Sequence, residues 1–151
     1  MDEPLPTRES MEPSAALARI ETSWHSLVNL VTSLSPELLD EPGVTGEWSI
    51  KDLLGHIAFW DDNGAATARR LAGGDAAAGP DSRLVNDPEA ANRASQSLEQ
   101  VISELQVAHE RLMQTLRELD GFHPADIAED TYLHYEEHQA EVESWLARRN
   151  R

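Results

Sequence analysis

Ser97-Leu98-Glu99-Gln100-Val101-Ile102-Ser103-Glu104-Leu105-Gln106-Val107-Ala108-His109-Glu110-Arg111-Leu112-Met113-Gln114-Thr115-Leu116-Arg117-Glu118-Leu119 sets the fold class. Leu98, Ile102, Leu105, His109, Leu112, Leu116 and Leu119 step by four and three residues alternately. That spacing is the seam of an amphipathic helix. Ser97 with Gln100 supplies a capping box at its start, and Gly121 followed by Pro124 stops it. A helix this one-sided needs further helices to cover its apolar face.

The neighbouring segments provide them. Upstream, Leu17, Ile20, Trp24, Leu27, Val31 and Leu34 mark a first helix face, and Ser35-Pro36 begins a new turn. Residues 40–46 hold two glycines and a proline and read as a loop. Ser49 opens a second helix through a box with Asp52, its stripe being Ile50, Leu53, Leu54, Ile57 and Trp60. That helix should fade at Gly73-Gly74. Residues 73 to about 86 then form a connection longer than antiparallel neighbours need, which suits a crossover. Asp87-Pro88 reads as an N-cap with proline at N1, with a kink at Ser95–Ser97. A last helix runs from about Asp126 to Arg148. No segment reads as a strand. The expectation is an all-α, single-domain four-helix bundle over residues 1–151, with residues 1–12 as a flexible tail.

Composition narrows the function classes. The chain has 28 acidic and 12 basic residues, a formal charge of -16 and no cysteine. Such a charge repels a polyanion, so nucleic acid is not expected as a partner. Zero Cys removes disulfides, thiolate metal sites and a cysteine nucleophile. No apolar run is long enough to span a membrane, and Met1-Asp2-Glu3-Pro4 lacks the pattern of a secretory leader. A cytoplasmic protein is the expectation.

Chemistry is carried by histidines. His134 and His138 are four residues apart, so both imidazoles can reach one point. At 100° per residue they share a sector with Ile127, Thr131, Val142 and Trp145, the face a bundle should bury, along with Asp130 and Glu141. Two buried imidazoles need partners, and a divalent cation or hydrogen-bonding neighbours would each supply them. His56, at the edge of the second stripe beside Leu53 and Trp60, is a third candidate. Three neutral imidazoles with an open position describe a catalytic type of metal site. Spacing alone does not bring residues 56 and 134 together.

Trp48-Ser49-Ile50-Lys51-Asp52-Leu53-Leu54-Gly55-His56-Ile57-Ala58-Phe59-Trp60 resembles the W-S/T-x-x-D-x-x-x-H-x-x-x-W region of the DinB-like (DinB/YfiT) superfamily. Asp130-Thr131-Tyr132-Leu133-His134-Tyr135-Glu136-Glu137-His138 is similar to that superfamily's C-terminal H-x-x-x-H helix. The resemblance runs from about Leu17 to Leu146. It implies an up-down-down-up bundle and a divalent metal, zinc or nickel, on His56, His134 and His138. It further implies a thiol S-transferase or isomerase, or a hydrolase, acting on a small electrophilic molecule. Mycothiol or bacillithiol would then arrive as cosubstrate, since the chain has no thiol of its own. The alternative is a bundle that binds a small ligand or metal without turnover.

Four further expectations attach to single residues. His109, on the seam, should be a structural histidine bonded to a carboxylate. Glu141, one turn past His138, is a candidate acceptor for that ring's second N–H. Trp60 either walls a pocket or fills the core, and His25 and His123 should be solvated. Apolar flanks at Phe59, Leu133 and Leu146 suggest a homodimer.

Overall fold

The computed structural model describes residues 11–75 and 82–149, with the backbone alone at 82–84. Among the described residues seven helices follow in order: α1 (Pro13–Thr32), α2 (Pro36–Asp40), α3 (Ile50–Ala72), α4 (Ser82–Arg93), α5 (Leu98–Glu118), α6 (Pro124–Ile127) and α7 (Tyr132–Arg149). The four long ones, of 20, 23, 21 and 18 residues, make the bundle. Among the described residues the only β feature is an isolated bridge between Thr45 and Trp48. No described helix is long and apolar enough to cross a membrane.

The stripes read from the sequence become the core. Ile20, Leu27, Ile50, Leu53, Leu54, Ile57, Leu105, Leu112 and Leu116 are all essentially sealed from solvent. Each such side chain contributes about 1.5–3 kcal/mol on burial. Helix α3 packs along α5, and α1 along α7. Both capping boxes form. Ser49 Oγ accepts from Asp52 N–H at 3.1 Å, and Ser97 Oγ from Gln100 N–H at 3.2 Å. The second helix ends at Ala72, with Gly74 at φ +84° in the left-handed region that glycine tolerates. Met11 packs against the core, and the Glu12 carbonyl accepts the first helical bond, from Ala16 N–H at 3.0 Å. The rest of the expected tail lies outside the described residues.

Two boundaries differ from expectation. Helix α4 does not begin at Asp87-Pro88 but at Ser82, so Pro88 sits inside it and the 73–86 connection is shorter. Proline removes one N–H bond there, yet the helix is held from outside. Trp60 Nε1 on α3 donates to Asn86 Oδ1 at 2.8 Å, a contact no local signal encodes. Residues 76–81, inside that connection, lie outside the described residues. The last helix is also divided. Proline at N1 starts α6 at Pro124, and the chain turns through 128–131 before α7. Thr131 Oγ1 donates back to the Ile127 carbonyl at 2.7 Å, satisfying a group the break would strand. The Asp130–Thr131 turn lies against Gly64 of α3, where a Cβ would sit 3.4 Å from both. That contact seats the start of α7 beside α3.

Candidate metal centre

Helices α3 and α7 bring His56, His134 and His138 together. One ring nitrogen of each lies within 4.8 Å of the other two. His134 Nε2 and His56 Nε2 face each other at 2.8 Å, and the ring centroids of His134 and His138 are 4.4 Å apart. Only 8% of His134 and 7% of His138 is exposed. Burial, joined by the neighbouring imidazoles, pushes His134 well below the usual histidine range. Burial first, then His138, lowers His56 to about 4, with Glu141 opposing. At neutral pH these two rings carry lone pairs rather than a second proton.

The remaining ring contacts fix which nitrogens are bare. His138 Nδ1 lies 3.0 Å from Glu141 Oε2, so Nδ1–H donates to that carboxylate and Nε2 is left as the base. His138 Nε2 is buried without any partner, as is His134 Nδ1. Burial acts to raise Glu141, but hydrogen bonds from Thr45 and His138 prevail and hold it below the usual carboxylate range. The donor set, its convergence and the partnerless nitrogen of His138 fit a divalent cation. Without an ion, one of His56 and His134 must donate its N–H to the other across 2.8 Å while His138 Nε2 stays unbonded, and each unmade bond of a buried polar atom costs about 1–3 kcal/mol.

Two adjoining cavities open onto the cluster. One, of about 630 Å³, is lined by Thr45, Trp48, His56, Asn86, Glu137 and His138 among others. The second, of about 470 Å³, adds Trp60, Asp130 and His134. Trp60 is thus both buried and a cavity wall. Asp130 went unassigned in the sequence, although it shares the sector of His134. Burial raises it to about 6, partly offset by the 2.8 Å bond its Oδ2 accepts from Asn63 Nδ2, with Glu129 adding to the rise. Asn63 and Asn86 carry no sequence signal, since a polar residue on a helix is ordinarily solvated. Another cavity, of about 610 Å³, lies near Phe122, His123 and Ile127 and gathers no comparable set of nitrogens.

The other histidines stay apart from the cluster. His109 is buried and stacked on Trp24, with centroids 4.0 Å apart, and its Nε2 lies 2.8 Å from Glu21 Oε1. His25 is exposed and bonds Glu21 at 3.2 Å, while His123 is an exposed N-cap.

Comparison with known proteins agrees with this architecture. A crystal structure of an uncharacterised protein from Escherichia coli UTI89 superposes with a TM-score of 0.76 at 15% identity. The match covers 92% of this chain and 95% of that one, and shows a shared fold. No curated protein matches. The sequence profile of the DinB superfamily matches residues 19–148, a span that holds all three clustered histidines, and the chain belongs to that superfamily.

Proposed function

We propose that the chain holds a divalent metal ion, zinc or nickel, on His56, His134 and His138, and uses it on a small electrophilic molecule. The observation that carries this reading is the buried, partnerless Nε2 of His138, oriented by Glu141 toward the other two rings. When bound, such an ion supplies Lewis acidity to a group entering its open position. The chain's own residues do the rest. Glu141 holds the His138 tautomer. Trp48 and Trp60 wall the cavities and restrict water. Asp130, half-protonated at about pH 6 and mostly ionised at neutral pH, can take or give a proton at its free carboxyl oxygen. The reaction is thiol S-transfer, isomerisation or hydrolysis. With no cysteine in the chain, any thiol enters as a cosubstrate of the mycothiol or bacillithiol kind.

Metal analysis of protein purified without an affinity tag tests the ion: about one zinc or nickel per chain is expected, and none overturns the reading. Incubating the metal-loaded protein with monochlorobimane and several low-molecular-weight thiols tests turnover. Metal binding without conjugation or hydrolysis favours the second reading, a non-catalytic bundle that sequesters a ligand or metal.

The proposal extends to a cytoplasmic homodimer. Phe59, Leu133 and Leu146 are each partly buried in the single chain, two of them against its own core, so the pairing face is small. Light scattering that returns one chain mass at micromolar concentration overturns the dimer.

A further inference from the structure

The cleft above the histidines is lined by charge of one sign. On the Trp48 side stand Glu47, Asp87, Glu137 and Glu141, and on the Trp60 side Glu129, Asp130 and again Glu137. Among the described residues no Lys or Arg lines either cavity, and no ion pair neutralises Glu47, Asp87 or Glu137. These acids are not a bare surface cluster. They surround the buried, partnerless Nε2 of His138, which lines both cavities. A dication on the histidines would offset two charges of the six carboxylates. The field at the mouth therefore stays negative, and low-dielectric walls concentrate it.

We infer that the molecule admitted to this cleft is a cation: a small compound with a protonated amine beside the group that reaches the histidines. Glu137, shared by both cavities, sets this choice together with Glu47 and Asp87. The inference rests on the proposed metal site for where the ligand ends, and not for its charge. A cosubstrate thiol must then be one without carboxylates, which keeps mycothiol and drops bacillithiol, whose malate carries two.

Three imidazoles of different charge read the choice directly. Cobalt(II)-loaded protein is titrated at about pH 8, where free imidazole rings are neutral, with histamine, 4-methylimidazole and imidazolepropionate, following the visible absorption. Histamine is expected to bind at least about tenfold more tightly than imidazolepropionate. The ratio should fall below about threefold in Glu47→Gln/Asp87→Asn/Glu137→Gln, and persist in Glu37→Gln/Glu99→Gln/Glu110→Gln, which removes equal charge elsewhere. Equal binding of the two charged probes, or equal loss in both variants, overturns the inference. Failure to bind cobalt would overturn the metal reading instead. The charge choice is then read on metal-free protein from Trp48, since Trp24, Trp60 and Trp145 are buried. Caesium should quench it more than iodide does, with the difference collapsing only in the cleft variant. No such difference overturns the inference.

Discussion

Two buried histidine sites lie in the same bundle, and their partners separate them. His109 on α5 stacks on Trp24 and meets Glu21, and nearby Tyr135 donates its hydroxyl to Asp61, whose carboxyl is fully sealed. This set joins α1, α3, α5 and α7; Trp24 Nε1, His109 Nδ1 and Asp61 Oδ2 make no hydrogen bond, but the last two lie only 4.0 Å apart within the set. At the other site three rings turn nitrogens toward one point, and one of those nitrogens has no partner. Both sites bury histidine beside a carboxylate. What distinguishes them is whether the leftover polar atoms lie against each other, as an acid and a base at His109 and Asp61, or converge as three imidazole nitrogens on one point. A closed set contributes to stability, while an open set leaves stability to be supplied by a ligand.

The largest effect should come from the open set. Replacing His134 or His138 with Ala should weaken zinc or nickel binding by at least about a thousandfold, roughly 4 kcal/mol, by competitive chelator titration. It should also abolish the rise in Tm that excess metal gives the parent protein. Stability of the metal-free variant should fall modestly, because the cavity left by a buried ring outweighs the removal of a nitrogen without a partner. A variant that keeps its metal-dependent Tm would make the cluster a second closed set.

His109→Ala should do the reverse. It opens a cavity against Trp24 and leaves Glu21 with His25 alone, so unfolding in denaturant should cost about 2–4 kcal/mol less. Metal affinity should be unchanged. This contrast was partly legible in the sequence. The seam placed His109 inward, and the i, i+4 spacing paired His134 with His138. Whether His56 met them was not legible, because that depends on how α3 crosses α7, where Gly64 meets the Asp130–Thr131 turn. Helix α4 was misjudged for a related reason. Pro88 is a local stop signal, and the Trp60–Asn86 bond that outweighs it spans two helices. Asp61 gave no signal at all. An Asp-Asp pair on a helix reads as solvated, and only packing shows that Asp61 is sealed while Asp62 reaches Arg111 at 2.9 Å.

Asp130 lies on the wall of the open site, and its environment makes a pH-dependent prediction. Its carboxyl is raised to about 6 in the fold, above the ordinary value near 3.9 of the unfolded chain. The folded state therefore binds the extra proton. Its contribution is fully present below about pH 4 and lost as pH rises toward and through about 6. Asp130→Asn removes that loss. In metal-free protein it should stabilise by up to about 3 kcal/mol above pH 7 and by little at pH 4, as read by denaturant midpoints across pH. A gain of equal size at both ends would mean that the carboxyl is not perturbed by burial.

The smallest predicted effect sharpens the comparison most, because it changes the same pair at both sites. Glu141 accepts from His138, and Glu21 contacts His109, each at hydrogen-bond distance. Glutamine keeps an acceptor oxygen and removes the charge. At the open site the charge matters to the ligand, since a carboxylate behind an imidazole raises the basicity of its far nitrogen. Glu141→Gln should therefore weaken metal binding about tenfold and leave metal-free stability within about 0.5 kcal/mol. At the closed site no ligand reads that basicity. Glu21 is part-exposed, so Glu21→Gln should leave metal affinity unchanged and lower stability by less than about 1 kcal/mol. Chelator titration and denaturant unfolding on the two variants give four numbers. Identical profiles for Glu141→Gln and Glu21→Gln would show that both carboxylates only fill hydrogen bonds, and the distinction between the two sites would fail.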